Sequence, residues 1–166
     1  MSVAFVKEPN EDQVEALPER ELGSEPNFVT PRGLALLDAE IDGNEEKLDL
    51  ARAAGDKIAM AMINRDLRYF RARRSTAQPV TPQPDSDTVQ FGHRVSIGRA
   101  KGTVQTFQIV GIDEADPARG LISYLSPLAR QLVGKEEGET VRIGPDTARI
   151  LAIALPEDAP EPSRHG

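Results

Sequence analysis

The chain has 166 residues, with 20 Lys and Arg against 27 Asp and Glu for a net charge of -7, and neither Cys nor Trp. That length holds one domain or two small ones and argues against a large enzyme core. Without cysteine there is no disulfide framework, zinc ribbon or thiol nucleophile, and two histidines, His93 and His165, cannot build a multi-His metal site.

The remaining bulk features also exclude more than they identify. No run of about 18 uncharged apolar residues reads as a membrane span, and the opening MSVAFVKEPNED has no apolar signal region. The expectation is a soluble cytoplasmic protein. The acidic balance argues against tight independent DNA binding through a broadly basic surface.

In chain order, residues 1–26 are rich in Glu and carry no sustained apolar period, which predicts a disordered acidic arm. Thr30-Pro31 is a helix start, with a capping hydroxyl followed by a proline at the first helical position. Leu34, Leu37, Ile41, Leu48 and Ala51 then form one apolar stripe, weakened at Gly43-Asn44. Gly55-Asp56 combines a C-terminal glycine with a capping acid, the punctuation of a tight turn between helices. The second helix is predicted from about Lys57 to Gln78, with Met60, Ile63, Leu67, Phe70 and Ala77 inward.

Helices joined so closely must pack antiparallel to bury their stripes. Residues 27–78 thus read as a helical hairpin whose arms span about 35 Å. An acidic first arm (Asp38, Glu40, Asp42, Glu45, Glu46, Asp49) faces a basic second one (Arg65, Arg68, Arg71, Arg73, Arg74). Such surface pairs set register more than stability.

Prolines at 79, 82 and 84 make residues 79–88 a stiff linker. From Val89 the period changes to two. Val89, Phe91, Val95 and Ile97 alternate around Gly92-His93, Gly98 to Gly102 reads as a hairpin turn, and Val104 to Ile112 is a second run. After the acidic loop Asp113-Glu114-Ala115-Asp116-Pro117 come a strand from Leu121 to Leu125 and a short helix from Leu128 to Val133, opened by Ser126-Pro127. Strands at Thr140 to Ile143 and Ala148 to Ala154 follow, and residues 156–166 form a disordered tail. The fold class is α+β: a two-helix coiled-coil hairpin, then residues 89–155 as an antiparallel β-sheet with one short helix.

The string Asp113-Glu114-Ala115-Asp116 is not a helicase signature, because no phosphate-binding Gly-rich loop accompanies it. His93 lacks a nucleophile elbow and reads as a structural residue, exposed or hydrogen-bonded.

A more specific pattern lies in the strand half: Phe91-Gly92, I-V-G-x-D-E-A-D at Ile109 to Asp116, I-S-x-x-S-P-x-A-R at Ile122 to Arg130, and G-K-E-x-G at Gly134 to Gly138. Asn27-Phe28-Val29-Thr30, Gly33-Leu34 and Ala77-Gln78 add to it at the ends of the helical half. Together these resemble the GreA/GreB family of bacterial transcription elongation factors, over residues 27 to 155. The resemblance implies a coiled-coil hairpin, an FK506-binding-protein-like (FKBP-like) domain and RNA polymerase as partner. In the family the globular domain grips the rim of the secondary channel. The hairpin enters it, and an acidic tip pair helps hold a catalytic magnesium of the polymerase for cleavage of backtracked RNA. DNA binding belongs to the family vocabulary.

The tip departs from that pattern. The family reads G-D-x-x-E-N where this chain reads Gly55-Asp56-Lys57-Ile58-Ala59-Met60, so Asp56 matches the first carboxylate and Ala59 replaces the second. A hard divalent cation wants several carboxylate oxygens, and the arms are shorter than in the cleavage factors, leaving the tip more than about 10 Å short at ~5.4 Å per turn. The resemblance is therefore to the Rnk-like subgroup with shortened coiled coils. It implies a monomeric, polymerase-binding regulator of elongation or initiation that is not itself an enzyme, carries no cofactor and no metal, and does not stimulate cleavage. The expected polymerase contacts are Asp113, Glu114, Asp116, Ser126, Pro127, Leu128 and Arg130, with Asp56 at the tip. Two alternatives stay open: a cleavage factor using Asp56 with Asp49 or Glu46, and an FKBP-like peptide-binding or prolyl isomerase module, whose pocket would need Phe91, Phe107 and Tyr124.

Overall fold

A computed structural model describes residues 17–157. In order they form β1 (Phe28–Val29), α1 (Pro31–Ala54), α2 (Lys57–Thr76), β2 (Gln78–Pro79), β3 (Arg94–Arg99), β4 (Val104–Val110), a 3-10 turn (Pro117–Arg119), β5 (Leu121–Ser123), α3 (Pro127–Leu132), β6 (Thr140–Ile143) and β7 (Asp146–Ala154). Two compact units emerge. Among the described residues, one comprises those up to Pro26 with Ala35–Ala77, and the other Asn27–Leu34 with everything from Gln78. No helix among the described residues is long and apolar enough to cross a membrane.

The helical unit follows from local signals. Gly55 takes a left-handed φ of 67°, which a side chain would resist, and so reverses the chain between α1 and α2. Asp56 then caps α2 by accepting from the Ala59 amide at 3.1 Å. The arms run antiparallel, with Arg71 paired to Glu45 at 2.9 Å and Arg74 to Asp38 at 2.7 Å. Leu37, Asn44, Leu48 and Ala51 are buried along α1. The expected weak point at Gly43-Asn44 is continuous helix, and the buried Asn44 side chain donates to the Glu40 carbonyl at 2.7 Å.

On α2 the buried residues are Leu67, Tyr69 and Arg73. Leu67 belongs to the expected stripe; Tyr69 and Arg73 do not. A third segment widens the buried face: Arg73 donates to the Leu22 carbonyl at 3.1 Å, and the Arg20 guanidinium lies 3.8 Å from the Tyr69 ring centroid. The acidic arm expected to be disordered through residue 26 is thus an irregular segment held against α2 from about residue 19. Its first 16 residues, like the tail beyond Glu157, lie outside the described residues.

The other unit is built on a five-stranded sheet of order β5-β4-β3-β7-β6. Val95 and Ile97 on β3, Ile109 on β4, Ile122 on β5, Val141 on β6 and Ala148 and Ile150 on β7 share one buried cluster with Ala129 and Leu132 of α3. Full burial of a side chain of this kind is worth about 1.5–3 kcal/mol, so this cluster is the main source of the unit's cohesion. Four strands pair antiparallel as expected, but β5 pairs parallel to β4, with Ile109 opposite Ile122. The sheet is therefore mixed. The reason is the loop after β4, which runs back through the 3-10 turn before β5 begins. Gly120, at φ 77°, packs so closely on the Thr106 carbonyl that a Cβ would come within 2.7 Å of it.

The first strand also starts later than the alternation suggested. Gly92, at φ 92°, breaks the run, and Val89 bonds instead to Lys135 through its backbone at 2.9 Å. Residues 79–88, expected as a linker, belong to the sheet unit. Pro79 lies in β2, which pairs parallel with β1, and the Val80 amide donates to the Val29 carbonyl at 2.9 Å.

Candidate partner-binding site

The threonine that opens α1 meets the acidic loop from 84 positions further along the chain. The Thr30 hydroxyl caps α1 by accepting from the Gly33 amide at 2.9 Å, and donates its own proton to Glu114 Oε1 in a short hydrogen bond. Arg32 Nη1 donates to Glu114 Oε2 at 3.1 Å. The Glu114 side chain is 1% exposed. A negative group belongs at a helix N-terminus, where the amides and the helix dipole both favour it. Gly33 makes the approach possible, since a Cβ there would lie 3.0 Å from Glu114 Oε1. Gly111 does the same one turn earlier in the loop, where a Cβ would collide with the Phe28 carbonyl.

Glu114 is thus withdrawn from the predicted contact surface. It is a latch inside the sheet unit, holding the first turn of α1 to the acidic loop, and a partner cannot reach its carboxylate without unlatching it. Asp116 is displaced for a different reason. It bridges Leu121 through both backbone groups, at 2.8 and 3.1 Å, so it sits at the start of β5. Asp113 and Ser126 instead follow the C-terminal ends of β4 and β5. The parallel register, with Val110 opposite Ser123, brings those two ends to one edge of the sheet.

Beyond those strand ends the chain continues into Asp113 on one side and into Ser126, Pro127, Leu128 and Arg130 on the other. Ser126 caps α3 by accepting from the Ala129 amide at 3.3 Å. Pro127 and Arg130 are exposed, Leu128 is half-buried, and the neighbouring Val133 is 47% exposed. An arginine, a carboxylate and a small apolar surface on a rigid turn are the elements of a polar-rimmed protein contact.

At the hairpin turn, the Asp56 carboxylate is already engaged by the Ala59 amide. Position 59 offers only a methyl group. Asp49, weighed as a substitute ligand, pairs with Arg52 at 3.8 Å and is 81% exposed. Among the described residues no group of three or more His, Cys, Asp or Glu converges as a metal site. A magnesium ion wants several hard oxygens around it, and this turn supplies one carboxylate that serves as a helix cap.

Packing bears on two other readings. His93 is buried, and its Nδ1 accepts from the Gln90 amide at 2.8 Å. Burial lowers its pKa, favouring the neutral ring as that acceptor requires. Phe91 and Tyr124 stack edge-on at 5.7 Å, and Phe28 from β1 closes on both, at 6.1 and 5.4 Å. Phe91, Phe107 and Tyr124 are half-buried and pack against the core of the sheet unit. Missed at the sequence level were Thr30, Arg32 and Gly33 as latch residues. Their signal was present in the Thr-x-x-Gly spacing, which puts a hydroxyl and a bare backbone on one side of the first helical turn.

Comparison with known proteins gives a consistent picture. Residues 83–154 match the family model for the C-terminal part of the transcription elongation factors GreA and GreB. The transcription elongation factor GreB of Neisseria meningitidis is 34% identical over 151 residues, covering 76% of this chain and 93% of the relative. GreA of Acidiphilium cryptum is 33% identical over 149 residues, covering 75% and 95%. A solved GreA/GreB factor from Nitrosomonas europaea aligns over 78% of this chain and 99% of that one, at 15% identity and a TM-score of 0.40.

Proposed function

The chain belongs to the GreA/GreB family of transcription elongation factors, and from that premise we propose that it binds RNA polymerase at the secondary-channel rim and regulates elongation or initiation without stimulating transcript cleavage. The observation that carries the second half is the turn between the helices: Asp56 spends its carboxylate on the α2 cap, and Ala59 has no oxygen to add. The helices of 24 and 20 residues span about 36 and 30 Å at ~1.5 Å per residue, in keeping with a Rnk-like, short-armed member. Such a protein acts by occupying its site, and not by bringing chemistry to it.

The contact surface we assign to polymerase is the edge carrying Asp113, Ser126, Pro127, Leu128 and Arg130. Charge complementarity at such a rim sets association rate and specificity more than total affinity. Glu114 supports this edge from within by fixing the loop, and Asp116 lies off it. The test is co-purification with core polymerase followed by competition with a cleavage-competent Gre factor. The intact chain should be retained and should displace the competitor. Arg130→Glu should weaken retention by about tenfold, the equivalent of ~1.4 kcal/mol. No retention of the intact chain on core polymerase would defeat the reading.

A further inference from the structure

Three arginines from separate stretches of the chain line one cleft of about 520 Å³ within the sheet unit. Arg32 comes from the first turn of α1, Arg94 opens β3, and Arg119 ends the 3-10 turn before β5. Thr106 and Gln108 of β4, with Glu157, complete the polar lining. The sheet register gathers these groups. Arg94 lies opposite Gln108 across β3 and β4, and Gln108 lies opposite Leu121 across β4 and β5. Arg94 and the strand that follows Arg119 are therefore two strand spacings apart, about 10 Å.

The fold leaves most of their donors unused. Arg32 binds Glu114 and Arg94 binds Glu157, at 3.1 and 2.5 Å, each through Nη1 alone. A guanidinium carries five N–H donors in a planar fork. Arg119 is exposed, and among the described residues its side chain has no hydrogen bond or ion pair. Even with the buried Glu114 counted, three cations meet two carboxylates here, in a chain whose overall balance is acidic. A cleft lined mainly by one sign of charge concentrates ions of the other.

We propose that this cleft binds a polyphosphate group, carried by a nucleoside triphosphate or free as an inorganic chain. Guanidinium forks match phosphate oxygens two at a time. Forks that start about 10 Å apart suit a run of phosphates, because a lone phosphate on Arg94 would leave Arg119 unserved. The volume falls in the range of small-ligand sites, and the Thr106 hydroxyl, 3.0 Å from that of Ser96, adds a neutral hydrogen-bonding group. Glu157 is 86% exposed, and exposed pairs like its own with Arg94 are individually weak and screened by salt, so an incoming phosphate displaces it at little cost. The site uses no residue of α2 or of the edge assigned to polymerase, so it stands or falls apart from the proposed function.

Two measurements on the full chain test it. In isothermal titration calorimetry with sodium tripolyphosphate, free of divalent cations, the parent should bind with single-site stoichiometry. Arg119→Ala should weaken binding about tenfold, the equivalent of ~1.4 kcal/mol, and Glu157→Gln should tighten it. Arg68→Ala, at an exposed arginine of the helical unit, should change nothing. No binding at millimolar anion, binding indifferent to Arg119→Ala, or an equal loss in Arg68→Ala would overturn the proposal. ATP and GTP as titrants separate the sources: tighter binding than tripolyphosphate assigns the site to a nucleotide, and weaker binding to the inorganic chain. The second measurement needs no substitution. The thermal midpoint of the parent should rise with tripolyphosphate and not with sodium chloride of equal ionic strength, and an equal rise with both would rule the site out.

Discussion

Each of the two long helices begins at a carboxylate, and the two carboxylates do different work. Asp56 caps α2 from the adjacent position in the chain, is exposed, and holds one amide. Glu114 serves the start of α1 from a distant loop, through Thr30 and Arg32, and is shut away from solvent. The chemistry is the same, an anion at the positive end of a helix. Burial makes the difference. An exposed cap can be replaced by water, whereas removing the buried carboxylate strands the buried Thr30 hydroxyl, although the exposed Arg32 can turn to solvent.

That contrast is broken most readily at Glu114. Glu114→Ala should destabilise the chain by about 2–3 kcal/mol, the cost of leaving the buried Thr30 hydroxyl without its charged acceptor, read as a fall in the urea midpoint. A loss below about 1 kcal/mol, the range of exposed pairs, would mean that the latch is no more than a surface contact. Gly111→Ala comes next. Its Cβ would collide with the Phe28 carbonyl, and the forced shift should cost about 1–3 kcal/mol in the same titration.

Asp56→Ala should cost only about 1 kcal/mol, the value of one N-cap, with a small loss of helical circular dichroism and no effect on the sheet unit. The smallest effect is in pH. Because burial lowers the His93 pKa, the unfolded chain takes up the proton first as pH falls. Its contribution is therefore present above the unfolded value of about 6.5 and is lost as pH drops from there toward the folded value. His93→Gln should flatten the stability profile in that window, and an unchanged slope would show that the ring is neutral for no structural reason.

What could be read from sequence was what is local. The Gly55-Asp56 turn, the Ser126-Pro127 cap and the apolar positions Leu37, Leu48 and Leu67 depend on residues within a few places of one another. The burial of Tyr69 and Arg73 was not legible, because it is created by a segment some fifty positions upstream with no periodicity of its own. The parallel pairing of β5 was hidden too, since a three-residue strand carries no record of its direction. For Glu114 the pattern was visible but its meaning was not. An acid in a loop reads as solvated until Thr30, Arg32 and Gly33 are placed beside it. The tip was legible throughout, because an alanine at position 59 lacks a carboxylate in any fold.

The most direct test of the central claim is therefore made at that tip. Halted, backtracked RNA polymerase complexes carrying end-labelled RNA are incubated with the chain, and release of 3′ fragments is followed in time. Cleavage should proceed at the polymerase's own rate with the chain bound, unchanged by Asp56→Ala; prompt cleavage that disappears in Asp56→Ala would contradict it.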